Sequence, residues 1–424
     1  MEVISKEIIK PSCETPLHLR NLKLSYLDQL LPPIYIPFVF FYEADESRGL
    51  TCSNHVQICQ ELKNSLSKSL TSFYPLAGRI RDNFVIDCND NGVEFVNARI
   101  HAHLTDVLKS ESDPECLKQY IPLDPSAIDN PCEGALFAVQ VTFFDCGGIA
   151  IGVCFSHRIA DCTSIMAFVE AWAATTTGKT EVSQFSFDLA NYFPPRDFSG
   201  FDPCRVRKSN DKITMRRFVF DKEKLAALRK AAISPSATTV KNPSRVELVS
   251  AFIWKHFIEL SKHNGAKKNF AASHVVNLRT RTSPPQILGN VFGNSVMSVS
   301  AISESVQEYY ELVRKLRRSI RTITEDYITE SQSGDRYVND LFNVVSSLMK
   351  GELEGCSFSS WSKLPFYEVD YGFGKPVWLG TTALPLRNII ILVNTRCGEG
   401  IEAWVNMKQD NLEMLEVQFK LISH

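Results

Sequence analysis

Residues 147–155, Gly-Gly-Ile-Ala-Ile-Gly-Val-Cys-Phe, form an unbroken apolar run of strand length. A strand with no polar side has to be buried on both faces, the habit of strands inside an α/β sheet. The run leads into a tight turn, Ser156-His157-Arg158-Ile159-Ala160-Asp161. After it, Ile165, Phe168, Val169 and Trp172 fall at i, i+3, i+4 and i+7, one stripe of an amphipathic helix. The same alternation recurs elsewhere. Asn54 to Tyr74 has near-helical apolar spacing and stops at Tyr74-Pro75-Leu76-Ala77-Gly78-Arg79. Phe84 to Val96 reads as a hairpin turning at Asn91-Gly92. Asp221 can cap a helix running to about Ala232, and residues 304–328 read as one long helix. Interleaved strands and helices predict an α/β protein.

At roughly 100–200 residues per domain, 424 residues favour two domains. Thr175 to Lys212 holds Gly178, Pro194, Pro195, Gly200 and Pro203 with no sustained period, and reads as a crossover. The expected division is 1–180 for the N-terminal domain with its His157 motif and 181–212 for the crossover. The C-terminal domain then takes 213–424 and carries the Asp370–Gly374 loop. Lys and Arg number 46 against 48 Asp and Glu, a net charge of −2, which argues against a nucleic-acid partner. The twelve cysteines are scattered without a CxxC pair and read as reduced thiols. No basic stretch followed by an apolar run opens the chain. The most apolar stretch, Leu30 to Tyr42, carries Pro32, Pro33 and Pro37 and so is no spanning helix. A soluble cytoplasmic protein, monomeric and without membrane contact, is the expectation.

A histidine at a strand end is held by the sheet yet can face a cleft, where a neutral imidazole accepts a proton near pH 7. Asp161 stands four residues after His157. On local evidence alone, a core histidine beside a capping aspartate is the favoured reading of that spacing. Other candidates are weaker. His101, His103 and Asp106 lack a second cluster to complete a metal site, so no metal is expected. Gly372-Phe-Gly374-Lys375-Pro376 lacks the Ser/Thr and the upstream Gly of a phosphate loop. No Gly-x-Ser-x-Gly elbow exists, which leaves Ser156 a poor nucleophile. Arg314, Arg317, Arg318 and Arg321 share one helix face; a solvated surface is the favoured reading, a phosphate site the alternative.

His157 to Asp161 ahead of a crossover, together with Asp370-Tyr371-Gly372-Phe373-Gly374-Lys375-Pro376, resembles the plant BAHD acyltransferases, which transfer acyl groups from coenzyme A thioesters. Leu24 to Gln29, Tyr74 to Arg79, Asn277-Leu278-Arg279, Gly289-Asn290 and Ser359-Ser360-Trp361 extend the similarity over essentially the whole chain. Within the family the alkaloid acetyltransferase branch is nearest. The resemblance implies two domains of the chloramphenicol-acetyltransferase type, with mixed sheets, flanking helices and an interdomain channel. It implies His157 as general base, reached by coenzyme A from one face and by the acceptor from the other. It also implies that Asp161 pairs with Arg279 in a geometric role and that Asp370, Gly372 and Gly374 form a structural loop. Ser359 and Trp361 would hold the oxyanion. Ser244 and Arg245, at the start of a predicted helix, suit a coenzyme A phosphate.

Three departures stand out. Tyr371 and Phe373 replace the Phe and Trp of the usual Asp-Phe-Gly-Trp-Gly loop, Cys162 replaces a common Gly, and Ser359 replaces a frequent Thr. The expected activity is O-acetyl transfer from acetyl-CoA, without a permanent cofactor, to a hydroxyl of a plant specialised metabolite, an alkaloid by the branch. The alternatives are an acyl sugar, a simple alcohol or an amine as acceptor, or a non-catalytic binding protein on the same fold.

Overall fold

The computed structural model describes residues 1–109, 114–125, 134–179, 185–198, 213–233, 240–263, 269–282 and 286–423. In chain order the first strands are β1 (Glu2–Ile9), β2 (Asn21–Lys23), β3 (Tyr35–Tyr42), β4 (Arg79–Ile80), β5 (Val85–Asp87), β6 (Val93–Ile100), β7 (Phe137–Phe144) and β8 (Ile149–Ser156). Then come β9 (Ile213–Phe220), β10 (Asn269–Asn277), β11 (Val296–Ser303), β12 (Leu353–Ser360), β13 (Trp378–Gly380), β14 (Ile389–Asn394) and β15 (Ile401–Lys408).

The chain forms two compact units, each built on a mixed sheet with helices packed against it. The first unit comprises Met1–Pro203, Asn290–Ser295 and Leu364–Ala383. Its large sheet has the order β1-β6-β7-β8-β3-β13, with β6 and β7 parallel and the other neighbours antiparallel. Every residue of β3, β7 and β8 is buried, as the unbroken apolar run requires. Helices His55–Ser72 and Cys162–Thr176 pack together in this unit, and the Trp172 indole N–H donates to Leu62 O and Ser65 Oγ at 3.1 and 3.0 Å. The stripe residues Ile165, Phe168, Val169 and Trp172 are all buried. Each such side chain contributes about 1.5–3 kcal/mol of burial free energy.

Two expectations about this unit are corrected. The hairpin across Asn91-Gly92 does not form: β5 pairs with β2 and β4 in a small sheet, while β6 lies between β1 and β7. The Asp90 carboxylate accepts from Thr15 N and Oγ1 at 2.9 and 2.6 Å, fixing a turn from which the strands diverge. The Asp370–Gly374 loop, expected in the C-terminal domain, belongs to the first unit. The reason lies a few residues on, where β13 pairs with β3 and Trp378 stacks on Phe41 at 5.2 Å. Of the expected crossover, residues 181–184 and 199–212 lie outside the described residues, and 185–198 carry the short helix Leu189–Tyr192.

The second unit comprises Cys204–Gly289, Val296–Lys363 and Leu384–His424. Its sheet has the order β11-β10-β12-β14-β15-β9, with β12 parallel to both β10 and β14. Helix Arg245–His263 buries Leu248, Phe252 and Phe257 in a core shared with Leu312 and Leu316, and the Tyr309 hydroxyl donates to Leu248 O at 2.6 Å. The expected long helix over 304–328 is broken into Tyr309–Ile320 and Glu325–Ser333. The β-branched residues Ile320, Thr322, Ile323 and Thr324 propagate a helix poorly. Arg281 takes the carbonyls of Ile320 and Ile323 at 2.9 and 2.7 Å, and Thr324 Oγ1 caps the second helix by accepting from Tyr327 N.

His274 on β10 stacks on Phe358 with ring centroids 4.9 Å apart, and burial pushes its pKa down to about 4. Between that value and the usual 6.5 the unfolded chain binds a proton that the folded chain does not. Stability therefore rises with pH across this window and is lost as pH falls through it, by up to about 1.4 kcal/mol per pH unit. Urea midpoints at pH 7 and pH 5 should differ less for His274→Leu than for wild type. An unchanged difference would remove His274 from the acid limb.

Candidate active site

β8 ends at Ser156, opposite Tyr35 in β3, and the His157 N–H donates to Ile34 O at 2.9 Å. His157 is thus the last residue that the sheet holds. Asp161 then caps the next helix, its Oδ1 accepting from Ser164 N at 2.9 Å. Strand and helix starts only a few residues apart fix the His157 backbone from both sides. Its neighbours Arg158 to Asp161 are buried, while His157 itself is only half-buried.

The ring's Nδ1 lies 3.3 Å from Ala160 O. A carbonyl can only accept, so this contact requires the proton on Nδ1 and leaves the Nε2 lone pair as the basic site. Burial pushes the His157 pKa below its usual value; the Ala160 carbonyl, the Asp161 charge and the Asn294 side chain oppose that shift. The ring is therefore neutral at pH 7 and has groups near it that favour the imidazolium once it forms.

A buried brace holds this turn. The Asp28 carboxylate accepts from Ser25 N and Oγ at 2.9 and 2.6 Å and from Asn294 N and Nδ2 at 2.9 and 2.8 Å. Asn294 Nδ2 also donates to His157 O at 2.9 Å. Gly293 reaches in beside it, exchanging hydrogen bonds with Ser164 Oγ through both its N–H and its C=O. Its φ is 134°, and a Cβ there would stand 2.8 Å from Leu189 Cδ2, so only glycine fits.

Asp370 faces its own loop. Its Oδ1 accepts from Gly372 N and Gly374 N at 2.8 and 2.9 Å, with both glycines at positive φ, and its Oδ2 lies 3.3 Å from Arg48 Nη1. Tyr371 packs edge-on against Trp172 at 4.8 Å and Phe373 against Tyr42 at 5.0 Å, so both replacements stay buried. The Tyr371 hydroxyl finds no hydrogen-bond partner among the described residues.

In the second unit, β12 sends Cys356 and Phe358 into the core and turns Ser357 and Ser359 to its other face. The Trp361 indole N–H donates to Ser359 Oγ at 3.1 Å, which leaves the serine's own proton for another acceptor. Arg279 is buried, and its N–H donates to Asn277 Oδ1 at 3.0 Å. Ser244 opens helix Arg245–His263, but Glu247 already closes that end: Ser244 N donates to Glu247 Oε2 at 2.7 Å. The Arg245 guanidinium donates to Gly398 O, Gly400 O and Asn394 Oδ1, clamping the turn between β14 and β15.

Neither Cys154 nor Cys162 is an activated nucleophile. Burial pushes Cys154 up to about 12 and Cys162 well above its usual value. Ser156 Oγ is in contact with the Arg158 N–H at 3.4 Å. Among the described residues no group of three His, Cys, Asp or Glu could hold a metal ion, and no helix is long and apolar enough to cross a membrane.

A strand-end histidine presenting a neutral Nε2 is chemistry that many families share. Comparison with known proteins narrows it: a profile of the transferase family matches residues 1–422. The chain belongs to the BAHD acyltransferases. It is 41% identical over 426 residues to stemmadenine O-acetyltransferase of Catharanthus roseus, covering 99% of this chain and 97% of that one. To vinorine synthase of Rauvolfia serpentina it is 42% identical over 425 residues, covering 99% and 96%. The crystal structure of vinorine synthase superposes with a TM-score of 0.84 at 40% identity, covering 99% and 98%. F. sporotrichioides TRI101, solved with coenzyme A and T-2, shares the fold at a TM-score of 0.71 and 16% identity, covering 94% and 97%. The chain is an acyl-CoA-dependent acyltransferase of the vinorine synthase-like branch, and acyl-CoA is its co-substrate.

The brace around His157 is not legible in the sequence. Ser25-x-x-Asp28 has the form of a capping box and does form one, but nothing local shows that the carboxylate also serves Asn294. Asn294 stands 137 residues from His157 in the chain and gives no sequence signal of its own.

Proposed function

We propose that this enzyme transfers the acetyl group of acetyl-CoA to a hydroxyl of an alkaloid-type plant metabolite, with His157 as general base and no acyl-enzyme. The observation that carries the proposal is the contact of His157 Nδ1 with Ala160 O, which puts the ring proton on Nδ1 and makes Nε2 the basic nitrogen of a ring whose pKa burial lowers. Nε2 removes the acceptor's proton as the C–O bond forms, an effect on the order of 10²–10⁴-fold. Charge then moves to the former carbonyl oxygen; the family resemblance assigns its stabilisation to Ser359, whose hydroxyl proton the Trp361 N–H leaves free to donate. Collapse breaks the C–S bond, and the imidazolium returns its proton to the departing thiolate. Asp161, Arg279, Asp370, Gly372 and Gly374 act on geometry, the first through its helix cap and the third through its loop bonds.

An alkaloid acceptor is favoured by the likeness to stemmadenine O-acetyltransferase of Catharanthus roseus and by the vinorine synthase-like branch. We place the enzyme in the cytoplasm as a monomer; the reducing compartment fits the buried free thiols Cys59, Cys88, Cys154 and Cys356. Initial rates with acetyl-CoA against a panel of alkaloid alcohols, acyl sugars, simple alcohols and amines test the proposal. The expected result is turnover with an alkaloid alcohol and intersecting reciprocal plots, the mark of a ternary complex. Parallel plots would overturn direct transfer, and turnover confined to another acceptor class would overturn the substrate. Coenzyme A binding without turnover on any acceptor would point to a binding protein.

A further inference from the structure

Helix Tyr309–Ile320 carries Arg314, Arg317, Arg318 and, at its C-cap, Arg321. Together with Val240 and Thr322 these side chains line a hollow of about 320 Å³ in the second unit. That is near the lower end of the range for small-molecule sites.

The four guanidinium groups differ in what they already hold. Arg317 is fixed by Glu247, at 2.8 and 2.6 Å, and by the carbonyls of Lys241 and Asn242. Arg314 is paired with Glu311 one turn back at 2.6 Å. Arg318 and Arg321 are exposed and form no hydrogen bond or ion pair among the described residues. Residues 234–239, which precede Val240 in the sequence, carry no acidic side chain. Among the described residues, two positive charges at the hollow are therefore uncompensated. Like charges at i, i+4 on a helix cost a few tenths of a kcal/mol per pair, so the cluster is not explained by helix stability.

The ordinary account of basic residues in a last turn is that they serve the helix's terminal carbonyls. Here Arg281 bonds Ile320 O and Ile323 O, and the Arg321 backbone N–H takes Arg317 O and Ser319 O. The phosphate site expected at Ser244 and Arg245 is occupied by Glu247 and by the β14–β15 turn. Arg317 joins the hollow to that helix start through Glu247, so the uncommitted cations lie on the neighbouring helix instead.

We propose that the hollow formed by Arg314, Arg317, Arg318 and Arg321 with Val240 and Thr322 binds a phosphate group, supplied by the phosphorylated ADP end of the acyl-CoA co-substrate. Arg318 and Arg321 give the charge-assisted hydrogen bonds, and Arg314 and Arg317, held by their carboxylates, form the fixed wall. A free phosphate or diphosphate offers the same chemistry from another source. The inference rests on acyl-CoA as co-substrate for its source, not for its site.

The test uses the full-length protein and the double variant Arg318→Gln/Arg321→Gln, whose side chains are exposed. KM is measured for acetyl-CoA and for acetyl-dephospho-CoA, which lacks the 3′-phosphate, and binding of 3′,5′-ADP and of pyrophosphate is measured by calorimetry. The double variant should raise KM for acetyl-CoA at least about tenfold, bring the two thioesters closer together in KM, and weaken 3′,5′-ADP by a similar factor. Loss of pyrophosphate binding with an unchanged acetyl-CoA KM would uphold the phosphate site and reassign its source to a free anion. Wild-type values for all four probes in the variant would overturn the proposal. A wild-type protein that transfers nothing from acetyl-CoA would defeat the proposed function instead, and the 3′,5′-ADP and pyrophosphate titrations would still decide the hollow.

Discussion

His157→Ala should lose about 10²–10⁴-fold in kcat/KM for acetyl transfer while its urea midpoint stays close to wild type. The two halves of that expectation have separate causes. The rate falls because Nε2 is the basic site and burial keeps the neighbouring thiols of Cys154 and Cys162 protonated. Stability holds because the side chain is half-buried, makes a long 3.3 Å contact to Ala160 O, and leaves the turn's backbone bonds untouched. Steady-state kinetics and urea titration of the same preparation check both. A variant that loses activity only in proportion to folded protein would show a structural histidine instead.

Asp28→Ala should have the largest effect on stability, at least about 1–3 kcal/mol. Its carboxylate is buried and serves four donors, and truncation leaves Ser25 N and Oγ with Asn294 N and Nδ2 facing a void. Leaving several buried donors unpaired is far costlier than the net worth of the bonds. Asp28→Asn keeps the volume but turns an NH₂ toward donors, so it should recover only part of the loss. The Asn294 amide that holds His157 O is one of those four donors, so kcat should fall in the folded fraction as well. Urea unfolding and active-site-normalised kcat check the pair. Wild-type stability for Asp28→Ala would mean the brace is not coupled to the fold.

What could be read from the sequence was whatever a short window encodes. The run 147–155, the turn at His157 and the stripe from Ile165 to Trp172 became β8, the strand-end histidine and helix Cys162–Thr176, because burial pattern and capping are local. The hairpin at Asn91-Gly92 failed for the opposite reason. A turn sequence sets a backbone bend, but partner choice came from β1 and β7, far off in the chain. The break at residues 321–324 depended on Arg281, some forty residues upstream, closing the helix end. The transfer of Asn290–Ser295 and Leu364–Ala383 into the first unit rests on Asp28 and on β3, which no periodicity in those segments announces. The strand-end position of His157 was legible, whereas its brace and the commitment of Arg245 to the β14–β15 turn were not.

The central claim is that the neutral His157 imidazole is the base. The pH dependence of kcat/KM for acetyl transfer, measured for wild type and for the residual activity of His157→Ala, tests it most directly. Because burial lowers the His157 pKa, wild-type kcat/KM should be level at neutral pH and fall tenfold per unit on the acid side, with a midpoint below 6.5. That limb should be missing from the variant. An acid limb of the same midpoint in both proteins, or none in either, would contradict the account.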